Sequence, residues 1–381
     1  MGNSITSVMH SAVEDRIFPG AVLLVQLRGQ PVYQGAFGRA ALMPQPQPAT
    51  LDTLYDLASL TKPLATTTAI VCLIQDGMVH LDDALEIYFQ ELQGTEIGAA
   101  TVHRLLHHSS GLPGWRPLYE DIASRERQHP GFLGSDAAKK FAMAYIAREP
   151  LVYPPGAKSL YSDLGFILLG LLIERVTGRS LARFCREHIY QRLGIQHLLF
   201  VPCAVDQGRP DGDSLIPGPI APTEHDPWRR RLLCGEVHDE NAYALGGIAG
   251  HAGLFGTAAA VMALAGAWLD GYWDRSSFFH GDLVRRFIAR DSNTPASSWG
   301  LGWDTPSPPS SSGQHLSPHS FGHLGFTGTS LWIDPESELT VVLLSNRVHP
   351  TRQNTSIQQF RPLIHNVVYE TVVGNAESAG K

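Results

Sequence analysis

The apolar positions of the chain change their period twice. A short amphipathic stretch at residues 5–17 is followed by Gly20-Ala21-Val22-Leu23-Leu24-Val25-Gln26-Leu27, which predicts a strand. Arg28-Gly29-Gln30 turns the chain, and residues 31–38 return as a second strand. From about 80 to 295 the spacing is mostly helical, with segments at 102–108 behind Thr101 as N-cap, 137–147, 162–177 up to Gly178, 181–193 up to Gly194, 257–269 and 282–289. The strand period returns at 329–333 and 339–344 around the turn Asp334-Pro335-Glu336-Ser337, and a helix over 357–373 follows. Residues 201–227 and 305–320, rich in Pro, Gly, Asp, Ser and His, read as a long irregular segment and a mobile surface loop.

Strands near both termini with helices between them predict an α+β fold. One antiparallel sheet is built from both chain ends and flanked by helices, with a mostly helical insertion. The expected division is residues 1–80 with 296–381 as the sheet domain and 81–295 as the helical domain, with the active site between them.

One stretch carries candidate chemistry. Tyr55-Asp56-Leu57-Ala58-Ser59-Leu60-Thr61-Lys62-Pro63 leads into a helix that runs through Ile74 and stops at Asp76-Gly77. Pro63 fits only the first turn, which places the helix start near Ser59. Ser59 and Lys62, three residues apart, share a face. Their neighbours are apolar or small, and a lysine buried there must be paired or give up its proton. A serine hydroxyl needs a base to become a nucleophile. The helix N-terminus adds positive potential and an N–H for a developing oxyanion. A second Ser-x-x-Lys, Ser378 to Lys381, lies in a polar tail and carries no such context.

Bulk properties narrow the classes. The 381 residues are 43% apolar and 17% charged, with a formal charge of −7. That balance gives no sign of nucleic-acid binding, and Arg229-Arg230-Arg231 is the only dense basic run. No 18-residue apolar run predicts a membrane span. Met1-Gly2 with Thr6 matches a myristoylation pattern only formally. No basic region followed by an apolar stretch marks the N-terminus, and Cys72, Cys185, Cys203 and Cys234 are scattered, so a cytoplasmic location is expected. There is no His-Glu-x-x-His or Cys-x-x-Cys, and neither metal nor cofactor is expected. The polar loop Gly235 to Asn241 reads as shaping a site rather than binding a metal with His251. Thr223-Glu224 with Trp228-Arg229 suits an acidic or sugar-bearing substrate as well as a solvated loop.

Two further stretches complete a constellation: Tyr161-Ser162-Asp163 before an apolar helix, and His323-Leu324-Gly325-Phe326-Thr327-Gly328-Thr329 opening a strand. With these the chain resembles the serine β-lactamase and penicillin-binding-protein superfamily, in its branch of class C β-lactamases, D,D-peptidases and esterases. The resemblance covers roughly residues 15–372 and takes in His107-His108-Ser109-Ser110-Gly111-Leu112-Pro113 and the loop Gly246 to Phe255. It implies that Ser59 is acylated, that Lys62 is its base or proton relay, and that Tyr161, its phenol lowered by two nearby cations, protonates the leaving group. It further implies that the N–H groups of Ser59 and Phe326 hold the oxyanion, and that His323 lines the site and bonds toward Tyr161 or the substrate. Gly325, Thr327, Trp115, Arg229 and His251 are the expected substrate-binding residues. His107 and His108 read as ordinary helix-end residues.

Two positions depart from that family's pattern. Asp163 replaces the usual Asn, and a carboxylate cannot donate to a substrate carbonyl. It would pair with Lys62 and hold it charged. His323 replaces the lysine of β-lactamases. The expected activity is a metal-independent serine hydrolase acting on a small amide, peptide or ester through an acyl-enzyme. The Tyr-Ser-Asp variant and its loops resemble members that cut N-acetylmuramyl-L-alanine amides in muropeptides. Alternatives are a promiscuous carboxylesterase, a D,D-carboxypeptidase or β-lactamase, and a non-catalytic binding protein that kept the fold.

Overall fold

The computed structural model describes residues 4–203, 218–291, 294 and 296–374. The tail bearing Ser378 to Lys381, the Met1-Gly2 terminus and residues 204–217 of the irregular 201–227 segment lie outside them. The strands are β1 (Gly20–Leu27), β2 (Gln30–Ala41), β3 (Gln47–Pro48), β4 (Tyr55–Asp56), β5 (Leu198–Phe200), β6 (His225–Asp226), β7 (Arg231–Leu232), β8 (Leu254–Gly256), β9 (Phe321–Leu324), β10 (Ser330–Asp334) and β11 (Leu339–Ser345). The helices are α1 (Ile5–Glu14), α2 (Thr68–Gln75), α3 (Val102–Leu106), α4 (Leu118–Gln128), α5 (Asp136–Ile146), α6 (Asp163–Thr177), α7 (Leu181–Cys185), α8 (Glu240–Ala244), α9 (Ala258–Tyr272), α10 (Gly281–Ile288) and α11 (Ile357–Tyr369).

The principal sheet has six antiparallel strands in the order β3-β2-β1-β11-β10-β9. Strands from the two ends of the chain thus meet at its centre, with Leu23 opposite Leu343 and Val25 opposite Val341. Side chains alternate between the two faces. Ala21, Leu23 and Val25 join Leu339, Val341 and Leu343 in a core closed by α1 and α11. Val22, Leu331, Ile333, Val342 and Leu344 face the larger core shared with α2, α6 and α9. Both faces are covered, which is why β1 and β11 read as unbroken apolar runs rather than alternating ones.

Two smaller features place the Ser59 turn. β4 pairs with β8, Asp56 opposite Phe255, and β8 pairs with β5. The Leu57 N–H donates to the Leu254 carbonyl at 2.9 Å, and the Leu254 N–H donates to Thr61 Oγ1 at 3.1 Å. The loop before β8 crosses α6 so closely that a Cβ on Gly250 would stand 2.0 Å from the Phe166 carbonyl oxygen. Thr66 Oγ1 holds that loop through the Gly250 carbonyl at 2.6 Å.

Several local expectations need adjustment. The helix expected from Ser59 begins as a tight turn, Ala58–Leu60, widens over Lys62–Thr67 around Pro63, and becomes α-helical only at Thr68. The segment expected at 181–193 is likewise α-helical only to Cys185 and then widens over Arg186–Tyr190. α4 has no counterpart in the sequence reading, because only Leu118 and Ile122 of its eleven residues are buried and no apolar stripe forms. The irregular 305–320 stretch is fastened down: His365 Nδ1 donates to the Ser311 carbonyl at 2.7 Å and Ser317 Oγ donates to Asp334 Oδ1 at 2.6 Å. Among the described residues no helix is long and apolar enough to cross a membrane.

Leu23 is fully buried at the sheet centre. Leu23→Ala is therefore expected to destabilise the protein by about 2–5 kcal/mol, read by denaturant unfolding. A loss under about 1 kcal/mol would mean that the centre of the sheet is not packed as described.

Candidate active site

Ser59 stands in a turn whose first residue, Ala58, has φ 47°. Asp56 braces that turn. Its buried carboxylate accepts the Ala58 N–H at 2.8 Å and the His238 N–H at 2.7 Å, tying the Ser59 turn to the 235–241 loop. Burial raises the pKa of this carboxyl. Ser59 opens onto a cleft of about 810 Å³ that also exposes Tyr161, Asp163, His323, Gly325 and Phe326.

Lys62 has no solvent-exposed side-chain surface. Its ammonium donates to Ser59 Oγ at 2.9 Å and to the His251 carbonyl at 3.1 Å, and it pairs with Asp163 Oδ1 at 2.7 Å. The Tyr161 ring centre lies 4.7 Å away. Burial pulls the lysine pKa down, but the Asp163 charge and Tyr161 outweigh it, and the ammonium is held above its ordinary value. Asp163 is available because Ser162, not Asp163, caps α6, accepting the Gly165 N–H at 3.3 Å.

Tyr161 is half-buried. Its phenol is raised, not lowered as the resemblance implied, because burial outweighs the Lys62 charge. One of the two expected cations is also missing. His323 is pushed down to about 3 by burial and by Lys62, so it is neutral. Its Nδ1 donates to the Leu324 carbonyl at 2.8 Å, which leaves Nε2 a buried acceptor without a partner among the described residues. Its ring centre lies 5.9 Å from that of Tyr161.

His108, expected to be an ordinary helix-end residue, belongs to this wall. Its Nδ1 accepts the Ser162 N–H at 3.1 Å, and its ring packs 4.7 Å from Tyr161 and 4.6 Å from Trp299. Burial, then the charge of Lys62, keeps it well below its usual pKa and neutral.

The loop after β9 is locked against the Ser59 turn. Thr327 Oγ1 donates to the Asp56 carbonyl at 2.7 Å and Thr329 Oγ1 to the Leu57 carbonyl at 3.1 Å. A Cβ on Gly325 would stand 2.0 Å from Thr329 Oγ1 and 2.6 Å from the Leu57 carbonyl oxygen, so only glycine fits. Arg361 donates to the Gly325 and Thr329 carbonyls, each at 2.7 Å, and Arg347 donates to the Phe326 carbonyl at 2.9 Å. With its carbonyls occupied, this segment presents Phe326 at the cleft beside Ser59.

The expected substrate-binding side chains divide. Trp115 and Gly325 border the cleft. Thr327 is buried, its hydroxyl engaged by Asp56. The Arg229 side chain is buried, ion-paired with Asp226 and donating to the Val237 carbonyl at 2.7 Å, so it holds the 237–238 loop rather than a ligand. His251 meets the site through its carbonyl, while its Nε2 hydrogen-bonds Asp239 at 2.8 Å. The sequence reading missed His108, Trp299, Arg347 and Arg361. Arg361 had a signal: it lies on the same face as Ile357, Ile364 and Val368, a charge on the buried stripe of α11.

Comparison with known proteins shows the family and the fold. The family model described as Beta-lactamase matches residues 5–363. A protein of Escherichia coli (strain K12) named "Putative D-alanyl-D-alanine carboxypeptidase" is 37% identical over 363 residues, 87% of this chain and 79% of that protein. A protein of the same name from Salmonella typhi is 33% identical over 371 residues, 90% of this chain and 82% of that one. Among solved structures, EstCE1, titled a hydrolase with promiscuous acyltransferase activity, superposes with a TM-score of 0.72 at 19% identity, covering 96% of this chain and 97% of that one. The octameric penicillin-binding protein homologue from Pyrococcus abyssi gives 0.71 at 21% identity, covering 97% and 77%.

The charge state of Lys62 is open to test. Asp163→Asn removes the partner that opposes burial, so the lysine gives up its proton at lower pH. The alkaline rise in Ser59 labelling by a fluorophosphonate is then expected to move to lower pH than in wild type. An unmoved or upward-shifted rise would show that Asp163 does not set the charge of Lys62.

Proposed function

The chain belongs to the beta-lactamase family and is a serine hydrolase, and from that premise we propose that it forms an acyl-enzyme on Ser59 and cuts the amide joining N-acetylmuramic acid to L-alanine in cell-wall muropeptides. The contact that carries the reading is Lys62 Nζ at 2.9 Å from Ser59 Oγ, with Asp163 at 2.7 Å behind it. Asp163 supports the departure from β-lactam chemistry, since a carboxylate engaged with an ammonium offers no donor to a β-lactam amide carbonyl.

The steps follow from the protonation at rest. Ser59 attacks the carbonyl carbon while its proton passes to Lys62, which hands one of its own to Asp163. The oxyanion is held by the N–H groups of Ser59 and Phe326. The C–N bond then breaks, and Tyr161 protonates the leaving nitrogen and regains its proton from Lys62, which recovers one from Asp163. Water, activated by the same relay, releases the acid and restores Ser59. Aligned base and relay contribute about 10²–10⁴ in rate, and each oxyanion donor about 10²–10³. In this reading the sheet unit (1–80 with 296–381) and the helical unit (81–295) form the two walls of the cleft. The four unpaired cysteines suit a reducing compartment such as the cytoplasm.

The names of these relatives, D-alanyl-D-alanine carboxypeptidases, favour a second reading, release of a C-terminal D-alanine. Incubation with N-acetylmuramyl-L-alanyl-D-isoglutamine and with a peptide ending in D-alanyl-D-alanine separates the two by mass spectrometry. The expected products are N-acetylmuramic acid and free L-alanyl-D-isoglutamine, with none from Ser59→Ala. Release of D-alanine alone would replace the amidase reading by the second, and ester turnover without cleavage of either would remove both.

A further inference from the structure

One wall of the cleft is unused by the acyl-transfer steps. Trp115 is 43% exposed and borders the same cavity as Ser59, together with Tyr119, Asp239 and Glu240. The indole is not a loose surface residue, because its backbone is anchored on the next position. The Arg116 carbonyl accepts from Asn241 Nδ2 at 2.8 Å, and Arg116 Nε pairs with Glu149 at 2.7 Å. The same Asn241 accepts the Tyr119 N–H at 3.0 Å. Aromatic rings continue outward from Trp115: Tyr119 at 6.4 Å, then Trp228 4.7 Å beyond it, then Tyr243 a further 5.7 Å away. Arg229 lies under this row, 4.7 Å from the Tyr243 ring centre.

Two carboxylates, Asp239 and Glu240, line the cleft with the indole. Asp239 Oδ1 is occupied by His251 and by the Ala242 N–H, and Glu240 Oε1 by Arg352. The second oxygen of each carboxylate has no protein partner among the described residues, and both residues line the cleft. Glu240 already has a guanidinium and Asp239 an imidazole, so the wall calls for neutral donors rather than another cation. An anion would be repelled by the two open oxygens. A purely apolar group would cover them without replacing their water, at the expense of unsatisfied acceptors. A ring with an apolar face and a rim of hydroxyls satisfies both the indole and the oxygens.

We propose that Trp115, with Tyr119, Asp239 and Glu240, forms a subsite for a pyranose ring of the substrate, stacked on the indole with its hydroxyls donating to the two carboxylates. This rests on the amidase reading for its catalytic consequence, but sugar binding itself does not need turnover.

Two measurements keep those apart. The first is saturation-transfer NMR of Ser59→Ala with methyl N-acetyl-β-D-glucosaminide, a neutral pyranose, at millimolar concentration. The expected result is transfer to the ring protons, abolished in Ser59→Ala/Trp115→Ala. Transfer that persists in the double variant, or none at all, overturns the subsite whether or not any amide is cleaved. The second compares kcat/KM for N-acetylmuramyl-L-alanyl-D-isoglutamine with that for N-lactoyl-L-alanyl-D-isoglutamine, which keeps the amide and lacks the sugar. Wild type should prefer the sugar-bearing substrate, and Trp115→Ala should cut that preference about tenfold through KM. Trp115→Phe should retain most of it. A preference unchanged in Trp115→Ala would mean the indole serves structure and not the sugar. If wild type cleaves neither substrate, the amidase reading falls and the NMR result alone decides the subsite.

Discussion

A lysine ammonium with no access to water has to be paired, and the architecture around Lys62 follows from that requirement. Its partners come from three parts of the chain: Ser59 one turn earlier, Asp163 at the start of α6, and the carbonyl of His251 on the loop before β8. Each partner is delivered by its own device. The tight turn braced by Asp56 presents the serine. Capping of α6 by Ser162 frees the carboxylate. The absence of a side chain at Gly250 lets the loop cross α6 and bring the carbonyl within reach. Remove any of these and a buried charge loses a ligand.

That one charge organises its surroundings. It works with burial to keep His323 and His108 neutral, and it partly offsets the burial that raises the Tyr161 phenol. The neutral histidines then have defined tautomers: His323 donates through Nδ1, while His108 accepts there from the backbone of the Tyr-Ser-Asp stretch. The resting site is therefore an ammonium–carboxylate pair with two neutral histidines and a neutral phenol around it. In the proposed steps, the Ser59 proton passes through Lys62 to Asp163 while Lys62 stays charged.

Much of this was legible from residue order alone. The change of period from strand to helix and back marks a sheet made from both chain ends, and Ser59 and Lys62 stood out by their spacing and apolar setting, whereas Tyr161 and Asp163 came from the family resemblance. What could not be read is where side chains turn once the backbone is placed. Thr327 sits two residues from Gly325 and was expected to meet substrate, yet its hydroxyl is taken by Asp56 from a distant segment. Arg229 was likewise expected to meet substrate, and only tertiary packing shows it buried against Asp226. α4 left no trace in the pattern because it buries so little. His108 and Trp299 reach the site through a ring cluster built from three separate segments, a relation that spacing does not encode.

The most direct test is the rate and position of Ser59 acylation by a fluorophosphonate in wild type and Lys62→Ala, followed by intact-protein and peptide mass spectrometry. The account predicts a single adduct on Ser59 in wild type and a rate lower by about 10²–10⁴ in the Lys62→Ala protein, with thermal unfolding run alongside to confirm that the variant is folded. An adduct on another residue, or a folded Lys62→Ala protein that labels as fast as wild type, would contradict it.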